Sequence, residues 1–313
     1  MSIKSLFLIL VSLSVLAACA STDDRDLSPY ESDAGVDTGI DAEGDGESED
    51  ANGDNDDAGD IEDADLDANG EDADEPVGPC RFGADDQIEA DQVPMEPGLA
   101  ANFQMATDVT VDTAGEVIDG TRTWDLSEDF DGDEVREVKT LDPAEEWFGP
   151  DYPDATYAAG LSADSDLLGV FQATDEALLL LGVVSPEDTG AFSRTRLTYD
   201  PPVEILQFPL HQYDNWSTES LISGTAQGVA AAYRETYTTE VDRRGEMITP
   251  YGVFDVLRVR TQMERTSGGF AIADSRTFAF VSPCFGTVAT IVSEDGESQV
   301  DFDQASEVRR LAP

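Results

Sequence analysis

Apolar and polar positions alternate along most of the carboxy-terminal three quarters of this 313-residue chain. A period of two predicts strands rather than helices. Tyr233, Glu235, Tyr237, Thr239 and Val241 alternate with Arg234, Thr236, Thr238 and Glu240, and the turn Arg243-Arg244-Gly245-Glu246 follows. From Val253 to Arg265, Leu257, Val259 and Met263 share one face, with Arg258, Arg260, Gln262 and Glu264 on the other. Ser267-Gly268-Gly269 turns the chain into Phe270–Val281, and Val288–Val292 and Ser298–Phe302 end the series. Earlier candidates are Asn102–Thr110, Leu167–Ala173, Ala177–Val184 and Leu197–Tyr199. Helical periodicity is weak; the clearest stretch is short, Gly224–Ala232, and holds two glycines, Gly224 and Gly228. Short strands joined by Gly, Pro and Asp turns predict an all-β domain with minor helix, an antiparallel sandwich or a curved half-barrel sheet. Gly182 to Gly190 is the one candidate midpoint within it.

The pattern vanishes upstream. Residues 20–79 carry 24 Asp or Glu against one basic residue, Arg25. Their few large apolar residues are too scattered to bury a core, so this stretch reads as a disordered acidic linker. A neutral flexible chain of that length spans roughly 40–45 Å root-mean-square, and self-repulsion stretches it towards a limit of about 200 Å. No D-x-D-x-D-G loop with a distal Glu occurs in it, so a spacer is a better reading than a calcium-binding repeat.

The first residues carry an address. Lys4 precedes an apolar run from Leu6 to Leu16, interrupted only by Ser12 and Ser14. That run is far short of the ~20 apolar residues that span a bilayer, and reads as the core of an export signal. Leu16-Ala17-Ala18-Cys19 resembles the lipobox of bacterial lipoproteins. The resemblance implies a signal peptide over residues 1–18, removal of it before Cys19, diacylglycerol on the Cys19 thiol and a fatty acid such as palmitate on the new amino group. Two or three acyl chains, at roughly 0.8 kcal/mol per buried CH₂, hold a protein on a membrane. Ala20 rather than Asp follows the cysteine, which by the same resemblance favours the outer membrane. The expected organisation is thus a signal over 1–18, a lipid-anchored acidic linker over 19–79 and one β-rich domain over 80–313.

Charge and composition narrow the partners. The chain has 17 Lys plus Arg against 68 Asp plus Glu, a net charge of −51. Phosphate contacts need a basic face, so the charge argues against nucleic acid or anionic lipid as a partner, and the membrane is met through the lipid anchor. One histidine excludes multi-histidine metal sites and H-E-x-x-H proteases. Once Cys19 is lipidated, Cys80 and Cys284 remain, and an even pair in an exported protein reads as a disulfide.

Trp124-Asp125-Leu126-Ser127 resembles a W-D-[FL]-S signature of secreted domains, many from Bacteroidota, that have no established activity. Tyr152-Pro153-Asp154-Ala155 is similar to their F-P-x-A segment and Phe208-Pro209-Leu210 to their F-P-L segment. Thr249 to Val259 is similar to their T-P-x-G-x-[FY]-x-x-[LV]-R-[VL] hairpin. Leu126 and Tyr152 stand where that group usually has Phe. The resemblance implies a secreted β domain and nothing catalytic. A looser likeness of the last hairpins to the periplasmic lipoprotein-carrier fold implies a curved sheet around an apolar hollow.

Candidate chemistry is sparse. His211 lies in Phe208-Pro209-Leu210-His211-Gln212-Tyr213-Asp214, with no G-x-S-x-G elbow in the chain to supply a nucleophile. Asp129, Asp131 and Asp133 resemble part of a cation loop, but Glu134 and Thr140 occupy the places where a calcium loop wants Gly and a bidentate acid, so a turn is expected. Arg243 and Arg244 read as exposed turn residues. Trp124, Leu126 and Phe130 read as core. No catalytic residue, metal site or cofactor is assigned. The leading expectation is a non-enzymatic binding or structural module of a cell-envelope lipoprotein. The alternative is a carrier holding an apolar ligand against residues such as Leu257 and Phe278; third comes a carbohydrate-active hydrolase, which needs two carboxylates about 5–9 Å apart.

Overall fold

In the computed structural model the described residues are Cys80, Phe82 and 86–313, apart from 189, 191 and 192. The leader, Cys19 and residues 20–79 lie outside them. Fourteen strands form one sheet: β1 (Ala100–Thr110), β2 (Glu116–Ile118), β3 (Thr121–Asp125), β4 (Glu134–Lys139), β5 (Tyr157–Gly160), β6 (Leu168–Ala173), β7 (Ala177–Val184), β8 (Arg196–Gln207), β9 (Asn215–Ala226), β10 (Val229–Ile248), β11 (Val253–Ser267), β12 (Phe270–Ser282), β13 (Gly286–Ser293) and β14 (Gln304–Ala312). Strands β5 to β14 run as an antiparallel meander; β14 then pairs with β1, and β1 with β4. The two edges almost meet. Just past β4, Leu141 exchanges backbone hydrogen bonds of 2.7 and 3.0 Å with Ala158 of β5, a single bridge across the seam.

This architecture resolves the choice between a sandwich and a curved sheet. One sheet of twelve strands curls until it nearly closes, and the β2–β3 hairpin docks on β10 through a parallel pairing of Thr123–Asp125 with Glu246–Ile248. Closure removes the exposed edges that an open sheet must manage. Buried side chains from β1, β7 to β14 and the segments around them form one apolar cluster, including Phe103, Leu180, Leu257, Val259 and Ile291. A smaller cluster of Phe148, Tyr152, Leu168, Val170 and Val184 packs under the short turns around Pro143–Glu145 and Gly149–Asp151.

Several expectations are corrected. Gly224–Ala232 is not helical, and no α-helix occurs among the described residues. It forms the end of β9 and the start of β10, turning at Gln227-Gly228, both with positive φ, as a two-residue hairpin prefers. Alanine favours helix in isolation, but pairing against β9 decides the outcome. Arg243–Glu246 lies inside β10, which absorbs an irregularity between Val241 and Arg243 and continues to Ile248. Gly182 lies within β7 rather than at a boundary. Ser298–Phe302 is a covering loop, not a strand; its Phe302 stacks on Phe278 at 5.4 Å.

The motif segments act as architecture. The Trp124 indole donates to the Thr113 carbonyl at 3.0 Å, and the ring meets Phe280 edge-on at 5.0 Å. Asp125 accepts from the Ser127 backbone at 3.0 Å and its hydroxyl at 2.6 Å. The Tyr152 hydroxyl donates to Leu197 O at 2.8 Å. Thr249 and Gly252 exchange backbone hydrogen bonds of 2.9 and 3.1 Å, closing the β10–β11 hairpin. Cys80 and Cys284 are joined by a disulfide, their Cα atoms 5.1 Å apart across 204 positions.

Candidate functional site

The strand pattern brings a groove together at one rim of the sheet, where the β9–β10 and β11–β12 hairpins end. It encloses about 510 Å³. Leu197, Val229, Ala231, Phe270 and Ile272 supply apolar walls, while Tyr233 and Arg265 supply the polar end. Its volume lies in the range of small-molecule sites, which are mostly apolar with a few placed polar groups. Gly224 has a structural reason here: its φ is +141°, and a Cβ would lie 2.1 Å from Arg196 O on β8. Only glycine lets β9 approach β8 so closely beside Leu197.

Beneath the groove lies a buried charge pair. Arg265 on β11 pairs opposite Glu235 on β10, with Nη2 and Nε each within 2.7 Å of Glu235 Oε1. The Tyr237 hydroxyl donates to the other carboxylate oxygen at 2.5 Å. The Arg265 guanidinium also sits over the Tyr233 ring, 4.7 Å from its centre. Burial opposes the Arg265 charge, but Glu235 and Tyr233 outweigh it and raise its pKa. Burial pushes the Tyr233 phenol up to about 12, with Arg265 pulling against it and Glu235 adding to it. Burial, reinforced by Glu235, holds Tyr199 and Tyr237 well above the ordinary phenol range. All three tyrosines are therefore neutral at physiological pH. The Ser220 hydroxyl, in register with Glu235, is buried without a hydrogen-bond partner. The Tyr199 hydroxyl is buried beside Tyr237.

Other buried arginines are structural clamps. Arg258 holds Asp242 at 2.5 Å and Asp301 at 3.1 Å, donates to Thr113 O, and stacks over Phe278 at 4.1 Å. Arg310 fixes the 126–133 loop through Leu126 O, Glu128 O and Asp133. Burial opposes the Asp133 charge, yet Arg310 and the Phe130 amide more than compensate and lower its pKa. Asp133 is thus committed to an arginine, Asp129 accepts from Gln104 at 2.8 Å, and the acidic run forms a turn as expected. Arg309 reaches Glu307 at 3.0 Å and Leu161 O at 3.0 Å. Among the described residues no group of three His, Cys, Asp or Glu could hold a metal ion.

His211 faces Asp214, Nδ1 to Oδ2 at 3.3 Å, in a half-exposed turn where Asp214 also accepts from the His211 amide. Arg243 is not a free turn residue: it pairs with Asp301 at 2.8 Å and donates to Ala114 O. Leu257 and Phe278 are fully buried and do not line the groove, so the hollow expected around them is filled. A second hollow of about 580 Å³ beside Cys284 presents Asp91, Glu96 and Asp175. All three are exposed, whereas a glycosidase acid needs a shielded setting. Sequence reasoning missed the Glu235–Arg265 pair. A signal was there: Glu235 falls in phase with Tyr233 and Tyr237, and Arg265 in phase with Leu257, Val259 and Met263.

The fold and the groove define a curled, almost closed antiparallel sheet with an amphipathic recess at one rim. No protein-family model and no curated protein matches the chain. Among solved structures it is similar to a candidate exported protein with a YmcC-like fold from Bacteroides fragilis, at 11% identity and a TM-score of 0.31, covering 69% of this chain and 96% of that one. It is also similar to a candidate lipoprotein from Parabacteroides distasonis, at 13% identity and a TM-score of 0.30, covering 70% of this chain and 95% of that one.

Proposed function

We propose that the chain is a lipid-anchored, non-enzymatic binding protein of the cell envelope. In this reading Cys19 carries the acyl chains in the outer membrane, residues 19–79 are the acidic linker, and residues 80–313 hold a small amphipathic molecule in the rim groove. The single observation that carries the binding role is the 510 Å³ recess, walled by Val229, Phe270 and Ile272 with Arg265 and Tyr233 at its polar end. An apolar body gains roughly 25 cal/mol per Å² removed from water, and the arginine and the neutral phenol offer donors to a polar head. The carrier alternative therefore moves from the filled centre of the sheet to its rim. Support for the anchor is the L-A-A-C ending after an apolar run.

Native mass spectrometry of the full mature protein, released gently from membranes, tests the binding role. The expected spectrum shows a protein carrying one additional small amphiphile, which is lost in a Leu197→Trp variant that fills the groove. A spectrum of the acylated polypeptide alone, under conditions that preserve known lipid complexes, overturns it. Intact-mass measurement of the same sample tests the anchor separately, by the mass of two or three fatty acids on the amino-terminal residue.

A further inference from the structure

The rim that carries the groove is built from two charge-free stretches of a very acidic domain, with Arg194 and Arg196 of the neighbouring β8 side beside them. Residues 80–313 hold 44 carboxylates, about one residue in five. Residues 220–233 and 266–273, twenty-two in all, hold no charged residue of either sign. At the domain's overall density about four carboxylates would fall there. The two stretches form the adjacent β9–β10 and β11–β12 hairpin tips, side by side because Arg234 of β10 pairs with Thr266 of β11. In place of charge they expose Phe270 at 76%, Val229 at 55%, Ile272 at 46% and Leu221 at 41%. Soluble monomers rarely cluster large exposed apolar side chains without a partner.

We infer that this rim is a membrane-contact surface, through which the groove opens onto the acyl region of a lipid bilayer. The inference rests on the proposed anchor and groove and adds the surface through which ligand passes. A neutral tip suits a bilayer because an acidic one is repelled by lipid phosphates and resists desolvation. Aromatic and aliphatic side chains on hairpin tips lose their water contact when they enter the headgroup region, as amphipathic anchors do. Phe270 and Ile272 also line the groove, so their insertion would place its mouth at acyl depth.

Reach permits it. The Cys80–Cys284 disulfide lies at the β12–β13 turn, the opposite end of β12 from Phe270. A 15-residue strand such as β11 is about 50 Å long. As the flexible linker proposed above, the stretch between Cys19 and Cys80 would span roughly that distance even as a neutral coil, and well beyond it when stretched.

Flotation with phosphatidylcholine vesicles tests the inference, using the mature chain with Cys19→Ser so that no acyl group contributes. The chain should float with the vesicles, and raising salt from about 0.1 to 1 M should not release it, because the contact is uncharged. Combined Val229→Ser, Phe270→Ser and Ile272→Ser changes should lower the bound fraction about tenfold or more, with an unchanged thermal midpoint. In a Phe270→Trp variant, vesicles should shift emission to the blue. A chain that stays in solution with unshifted Phe270→Trp emission overturns the inference, as does binding abolished by salt. So does sedimentation showing the rim buried in a dimer that the serine changes dissociate. Native mass spectrometry of the same preparation keeps the two readings separate: retained amphiphile without vesicle binding overturns the rim contact alone, and vesicle binding with an empty groove overturns only the groove.

Discussion

Arg265 and Glu235 face each other across the β10–β11 ladder at 2.7 Å, buried beneath a groove that is otherwise apolar. Taking two charges out of water costs several kcal/mol per ion; their mutual contact, the Tyr237 hydrogen bond and the Tyr233 ring under the guanidinium help to offset it. Losing one partner is therefore worse than losing both. Glu235→Gln should destabilise the domain by about 3–5 kcal/mol, because the buried guanidinium loses its carboxylate. Combined Glu235→Leu and Arg265→Met should recover most of that loss. Urea unfolding midpoints of the three proteins check this; a single variant as stable as the double would refute it.

The disulfide ties the first described residue to the turn before β13, closing a loop of 204 positions. Chain entropy assigns such a loop about 5 kcal/mol, an upper figure for native cross-links. Paired Cys80→Ser and Cys284→Ser changes should lower unfolding stability by about 2–5 kcal/mol, and reductant should do the same to the wild-type chain. Denaturation with and without dithiothreitol measures it, the double variant serving as the control that reductant leaves unchanged.

Acid should act on the Asp133–Arg310 clamp. The Asp133 pKa is lowered from 3.8 in the folded protein, so the native state favours the carboxylate. Its contribution is fully present above the ordinary aspartate value and is lost as pH falls through the lower native value. Stability should thus be insensitive to this group from pH 7 to about 5 and decline below about 4. Asp133→Asn should lower stability at neutral pH and flatten that acid limb. Thermal midpoints of both proteins between about pH 2 and 7 report the difference.

Gly224 lies where the β9 backbone runs tight against β8. Its φ is +141°, and a Cβ added there would meet Arg196 O at 2.1 Å, so Gly224→Ala is strained in both backbone and space. It should cost about 1–3 kcal/mol and displace the hairpin that forms the groove wall. Ligand retention should fall with it, whereas Gly228→Asn, at a turn residue with φ +77° that asparagine tolerates, should leave both properties near wild type. Unfolding midpoints and native mass spectra of the two variants, side by side, make the comparison.

Strand pattern made much of the fold legible. Ala177–Val184 matches β7 residue for residue, and the stretches from Val253 and Phe270 lead into β11 and β12. Periodicity misjudged what tertiary contact decides. The alanines of 230–232 carry a helical preference that pairing with β9 overrides. Arg243 and Gly245 read as a turn because no local signal announces that β10 pairs with β9, β11 and β3 along its length. β14, with its mixed Glu307-Val308-Arg309-Arg310 run, hid because both of its faces are buried and its charges are paired internally. The groove was illegible for a related reason: its walls come from β8, β10, β11 and β12, and only the ladder register brings Leu197, Tyr233 and Ile272 to one rim.

The strand that links β13 to β1 follows all the other strands of the sheet in sequence. Asn102 pairs with Ala312, so β1 waits for β2 to β13 to be made before it gains that neighbour. Contacts so distant in sequence make folding slow, because the loop must close before its reward arrives. Stalled or clipped chains lacking Gln304–Ala312 would therefore leave one edge each of β1 and β13 unpaired, and quality control would meet an open sheet rather than a shortened but tidy one.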